Sequence, residues 1–156
     1  MRITIAAVGR GKDDPAQALF ERYAARLKRG ALGPLVLTEI HLRGTLPPAE
    51  TRRREGERLL AAVPADARLV ALDEGGEVLD SAAFAARLGR WRDQGIGEVA
   101  FAIGGAEGLD PAVRAAADLV LSLGPLTWPH LLVRALLAEQ LFRAASILSG
   151  HPYHRA

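Results

Sequence analysis

The sequence predicts an α/β fold: a mostly parallel sheet covered by helices on both faces. Three observations predict it. Short apolar runs alternate with longer stretches of helical spacing from one end of the chain to the other, the pattern of strands joined by crossover helices. The runs from residue 68 onward are almost continuously apolar, as strands buried on both faces must be. Helix starts carry capping chemistry, with Asp80 before one helix and Asp110 followed by Pro111 before another. A chain of 156 residues is expected to form one domain over 1–156.

In order, "ITIAAV" (Ile3 to Val8) reads as the first strand. Asp14 to Lys28 reads as a helix carrying Ala18, Leu19, Tyr23 and Leu27 at helical spacing. "LVLTEI" (Leu35 to Ile40) is the second strand, and "TLPPAETRRREGERLLAAV" is a helix led in by prolines. "RLVALD" (Arg68 to Asp73) is the third strand. The helix "DSAAFAARLGRWRDQG" follows, capped by Asp80 and ended near Gly95. "EVAFAIGG" is the fourth strand running into a glycine turn, and a short helix starts at Pro111. "DLVLSLG" is the fifth strand, and Pro129 opens a last helix that runs to about Leu148.

Composition narrows the function classes. Hydrophobic residues make up 49% and charged residues 24% of the chain, which fits a globular protein with a full core. No apolar run approaches the ~20 residues of a membrane span. The start "MRITIAAVGR" lacks a signal-peptide cleavage pattern, so a cytoplasmic location is the default. With no Cys and no HxxxH or HExxH among four His, a metal site is not expected. Net charge is +2, and Lys12 and Lys28 are the only lysines among 20 basic residues. Arginine suits phosphate oxygens, but so small a net charge does not decide for nucleic acid. The stretch "TRRREGER" places Arg52, Arg53, Arg54 and Arg58 on a helix with Glu50, Glu55 and Glu57 between them. It reads as a solvated, salt-bridged face, with phosphate contact as the second reading.

Ligands of open parallel sheets bind beyond the carboxyl ends of the strands. Three such ends stand out: "ALDEGG" (Ala71 to Gly76), "IGGAEGLD" (Ile103 to Asp110) and "LGPLTWPH" (Leu123 to His130). The last two are rich in Gly and Pro, which lets main chain approach a ligand. Neither a G-x-G-x-x-G turn nor a Walker loop occurs, and the C-terminal half has no Lys. A dinucleotide oxidoreductase or a nucleoside triphosphate site is therefore disfavoured.

The last helix puts Glu139, Gln140, Arg143 and Ser146 on one face. Arg134 lies on another, among Leu131, Leu137, Ala138 and Leu141. A buried Arg needs partners: a carboxylate, a backbone carbonyl or a substrate would serve, or its head reaches water past an apolar stem. A helix apolar over most of its surface needs cover on more than one side, and a second subunit is one source. The chain closes with "SGHPYHRA", which gathers His151, Tyr153, His154 and Arg155. His154 and His130 have side chains whose ordinary pKa suits proton transfer near neutrality.

The segments "FAIGGAEGL" and "LSLGPLTWPHLLVRALLAEQLFRAASILSGHPYHR", with "AVGRGK" and "VALDEGG" before them, resemble the large-subunit ribosomal RNA methyltransferase H family of the SPOUT superfamily. The resemblance runs over the whole chain. It implies a C-terminal trefoil knot, rare among folds, a homodimer, and S-adenosyl-L-methionine held by the knot loops. It further implies methylation of N3 of a pseudouridine, position 1915 of 23S rRNA, on the assembled ribosome. Carried over by residue, the cofactor contacts are Leu72, Gly104, Leu123, Gly124, Pro125, Leu126, Thr127 and Trp128. Ser is usual in the family where Gly124 stands and Leu where Trp128 stands, so Trp128 is expected to reshape the adenine pocket. Tyr153 and His154 are expected to hold or deprotonate the base, with His130 as a further proton acceptor, and Arg155 to neutralise a phosphate. In a dimer the tail is expected to reach the partner's pocket. A ribosome-binding factor without catalysis is the rival expectation, resting on the arginine content.

Overall fold

The computed structural model describes residues 1–28 and 30–153. Strands β1 (Arg2–Val8), β2 (Leu35–Ile40), β3 (Arg68–Val78), β4 (Glu98–Ile103) and β5 (Leu119–Ser122) form one sheet in the order β2-β1-β4-β3-β5. All four pairings are parallel. Helices α1 (Pro15–Ala24), α2 (Pro48–Ala61), α3 (Ser81–Asp93), α4 (Pro111–Ala116) and α5 (His130–Leu148) cover it.

The two-residue period of the strands sorts side chains between two cores. Ile3, Ile5 and Ala7 of β1 point to one face. There, with Val99, Phe101 and Ile103 of β4, they bury Phe20, Phe84, Leu88, Leu137 and Leu141 from the helices. Ala6 and Val8 point to the other face and meet Leu59 of α2, Val113 of α4 and Leu109 just before it. The first face carries α5 packed between α1 and α3; the second carries α2 and α4. Gly56 allows the α2–α4 approach, since a Cβ there would lie 2.6 Å from Asp110 Cβ.

Local chemistry sets the helix starts. Asp14, Asp80 and Asp110 accept from Ala16, Ala83 and Ala112 N–H, which satisfies donors left open at each first turn. Asp118 ties β5 to β3 through Leu69 N–H at 2.8 Å.

Three elements differ from the sequence reading. The first helix ends at Ala24 and tightens into a 3₁₀ turn over Ala25–Lys28. Its buried residue is Phe20, and Leu19 stays 38% exposed, so the inward stripe is rotated by one position. β3 does not stop at Asp73. It bulges, with both Leu72 and Glu77 opposite Leu121, and continues to Val78. Gly76 permits this: a Cβ there would lie 2.7 Å from Val120 O. On α2, Arg53 and Arg54 both pair with Glu50, and Arg53 also with Glu57. The hydrogen bonds from Arg53 and then Arg54 pull the Glu50 pKa down to about 2, as a salt-bridged face requires. Glu55 leaves that face and is buried.

Candidate functional site

The three stretches singled out from the sequence converge at the carboxyl ends of β3, β4 and β5 around one cavity of about 770 Å³. Such a volume suits a cofactor-sized ligand, for which ~300–1,000 Å³ is usual. Leu72, Gly104, Leu123, Gly124, Leu126, Thr127 and Trp128 all line it, and so does His130. Pro125 is exposed and is not among the lining residues.

The loops are held by their own chemistry. Gly124 takes φ +110°, a region glycine enters without strain. Its N–H donates to Ser122 Oγ at 3.1 Å, and that hydroxyl donates back to Gly124 O at 3.0 Å. Thr127 Oγ1 donates to Glu74 Oε2 at 3.0 Å, bridging the third loop to the first. Gly104 leaves no room for a side chain, because a Cβ would lie 2.8 Å from Gly108 C.

The walls are apolar at Leu72, Ile103, Leu121, Leu123, Trp128 and Val133. Acidic groups enter at Asp73, Glu74 and Glu107, and Arg114 is the basic one. Sequence reasoning did not assign these four charged residues. Asp73, Glu74 and Glu107 lie inside the glycine-bearing stretches already quoted, and a carboxylate beside a strand-end glycine was the available signal. Behind the Gly104–Gly105 turn sits Glu55, whose Oε2 has no hydrogen-bond partner among the described residues. Burial, and then the charge of Glu107, pushes its pKa up.

His130 is the first residue of α5 and half-buried. Burial lowers its pKa, and the charge of Arg134 adds to this against a smaller opposing effect of Asp14. Arg134 is 1% exposed; its two terminal nitrogens have the partners that burial demands, while its Nε has none among the described residues. It donates to Val8 O at 2.7 Å, Gly9 O at 2.8 Å and Glu39 Oε1 at 2.7 Å. The same Glu39 oxygen accepts from Gly11 N–H at 2.6 Å. A carboxylate and backbone carbonyls thus bind Arg134, and its head does not reach water.

A second cavity of about 640 Å³ adjoins the first, sharing Leu121, Leu123, Gly124 and Trp128 with it. Phe84, Leu136, Glu139, Gln140 and Arg143 also line it. Tyr153 rests near this side of α5: its hydroxyl donates to Glu139 Oε1 at 3.1 Å, and its ring packs edge-on to Phe142 at 4.6 Å. Tyr153 is not among the residues lining the larger cavity. Its pKa is pushed up to about 12, first by burial and then by hydrogen bonding with Tyr23 and the charge of Glu139. His151 is exposed, and its Nδ1 accepts from Tyr153 N–H. His154 and Arg155 lie outside the described residues.

A parallel sheet whose crossovers leave a loop-lined cavity at the carboxyl ends of three strands defines a class. The family model described as "Predicted SPOUT methyltransferase" matches residues 1–154, and the chain belongs to the SPOUT methyltransferase family. The curated relatives it resembles are ribosomal RNA large subunit methyltransferase H proteins. That of Rhodospirillum centenum is 57% identical over 157 residues, covering 100% of both chains. That of Paramagnetospirillum magneticum is 55% identical over 155 residues, covering 99% of both. A crystal structure titled "Probable Methyltransferase from Bordetella pertussis Tohama I" shares the fold, with TM-score 0.51 and 16% identity over 92% of this chain and 95% of that one.

Proposed function

We propose that the protein is an S-adenosyl-L-methionine-dependent methyltransferase of large-subunit ribosomal RNA. Its target is N3 of the pseudouridine at position 1915, methylated on the assembled ribosome by a single-domain, cytoplasmic homodimer with a knotted C-terminal part. The observation that carries the reading is the convergence of three separate strand ends on one cavity, in a chain 57% identical end to end to a methyltransferase of that name.

The cavity fits the cofactor. Apolar walls at Leu72, Ile103, Leu121 and Trp128 suit an adenine ring, and main chain at Gly104 and Leu123–Leu126 suits its polar edge. Asp73, Glu74 and Glu107 suit the ammonium, sulfonium and ribose hydroxyl groups. S-adenosyl-L-methionine supplies a methyl group already activated by positive sulfur.

The chain's residues must then align the target nitrogen and remove its proton. Alignment alone contributes several kcal/mol of barrier reduction. His130, inside the cavity with a pKa held below 6.5, is neutral at pH 7 and can accept the N3 proton. Tyr153, pushed up to about 12, keeps its proton at neutral pH, so its role is to donate a hydrogen bond. His154 is the second acceptor, and Arg155 is the cation for a nearby phosphate. Both are to be supplied by the partner's tail.

The sign of the pH dependence follows. Below the His130 pKa the ring is protonated and cannot act as base. Single-turnover methylation should rise with pH through a midpoint below about 6.5 and be flat from pH 7 to 8. The His130→Gln variant should lose this acid limb. A limb unchanged in that variant assigns the base elsewhere.

The reading as a whole is tested with labelled S-adenosyl-L-methionine. The protein should bind it at micromolar concentration and transfer label to ribosomes lacking the modification. Binding to ribosomes without cofactor affinity or labelling would instead establish a non-catalytic ribosome-binding factor.

A further inference from the structure

The buried guanidinium of Arg134 does not face the cavity's contents. It is committed to the exit of β1, where it holds Val8 O and Gly9 O and, through Glu39, Gly11 N–H. Burying a charge is costly unless it is paired and hydrogen-bonded. Here that cost fixes one short surface loop, Gly9 to Asp14. The loop lies against the cavity: a Cβ at Gly9 would lie 2.8 Å from His130 Nε2, and His130 lines the cavity.

The loop carries two cations, Arg10 and Lys12, followed by two carboxylates, Asp13 and Asp14. Arg10 and Lys12 are exposed. Arg10 Nη2 donates at 2.6 Å to Nε2 of exposed His41, at the end of β2. An arginine paired with a ring nitrogen keeps its full charge, and His41 holds the fork in place. Exposed Arg43 follows two residues on. Of the carboxylates close by, Glu39 is already engaged by Arg134 and Gly11 and Asp14 caps α1. Asp13 is the exposed one that remains.

We propose that Arg10 and Lys12, on the loop braced by Arg134, bind the phosphate backbone of ribosomal RNA next to the target nucleotide. The inference rests on the proposed function and adds to it the surface that grips the substrate. A base delivered into the cavity past His130 brings its neighbouring phosphates to the rim, and an exposed arginine there, hydrogen-bonded to His41, meets them with the geometry that guanidinium and phosphate share.

The test combines Arg10→Gln with Lys12→Gln and measures co-sedimentation with ribosomes over a range of potassium chloride concentrations. Each lost phosphate contact makes the log affinity against log salt shallower by about 0.7 to 0.9. The double variant should therefore bind roughly tenfold more weakly at low salt, with a slope shallower by about 1 to 2. Its affinity for S-adenosyl-L-methionine and its melting temperature should stay at wild-type values. Arg2→Gln, at the opposite end of β1, removes a similar charge and should leave both binding readouts unchanged. Wild-type affinity and slope in the double variant would overturn the proposal. Salt-sensitive ribosome binding that the double variant weakens, with no methyl transfer by the wild type, would instead refute the proposed function and leave this contact standing.

Discussion

Replacing Arg134 with methionine should destabilise the protein by about 2–4 kcal/mol, the range expected when one partner of a buried charged network is removed. At this chain length that lowers the melting temperature by roughly 5–15 °C. Methionine preserves apolar bulk but leaves Val8 O and Gly9 O without the donor they now have. Lysine restores charge but not the planar fork that reaches three acceptors, so Arg134→Lys should recover only part of the loss. The network also has an acid signature. Burial works against the Glu39 charge, but the Gly11 N–H and the Arg134 guanidinium outweigh it and hold the Glu39 pKa below 4.5. Stability from this group is therefore complete above its unfolded pKa and is lost as pH falls through the lower folded value. Arg134→Met should flatten that acid decline. Denaturant titrations at pH 7 and in the acid range check both points, and a change below about 0.5 kcal/mol, the range of an ordinary surface substitution, would show the network to be inconsequential.

The second large effect is catalytic. Deleting His151 to Ala156 should lower methyl transfer by about 10²–10⁴-fold, the range of a lost acid–base group, while cofactor affinity stays within a few fold. The reason is positional. Leu72, Gly104 and the loop after β5 line the cavity, and none of His151 to Tyr153 is among its lining residues; Tyr153 rests on α5 beside Glu139 and Phe142. Full turnover by the truncated chain would remove the tail from the chemistry. Mixing truncated chains with His130→Gln chains supplies a complementary measurement. If tails act across a dimer, mixed dimers should turn over faster than either parent alone.

Much of this was legible in the sequence because it depends on local rules. Alternating apolar periods marked the strands and helices, and Asp80 and Asp110 marked two helix starts, each with its side chain bonded as a cap requires. The three strand ends could be nominated because a parallel sheet puts all such ends on one side. Other features depend on which strand lies beside which, and no local rule carries that. The partners of Arg134 come from β1 and β2, far away in the chain, and appear only once the order β2-β1-β4-β3-β5 is known. The β3 bulge depends on how closely Gly76 approaches β5. Glu55 read as one more charge on a polar helix face. Its burial alongside Gly56 and Leu59 follows from where α2 meets the sheet.

The bond from Arg134 to Val8 O spans 126 positions. During synthesis the amino-terminal strand therefore emerges long before the residue that secures its exit loop. A nascent chain lacking its last helix has the loop after β1 untethered and a strand terminus without the donor that Arg134 supplies. Contacts of such long separation slow the final step of folding. The loop after β1 and His130 accordingly reach their places together, once the last helix is made, and with the roles proposed for them a half-made chain should have no competence to engage a ribosome.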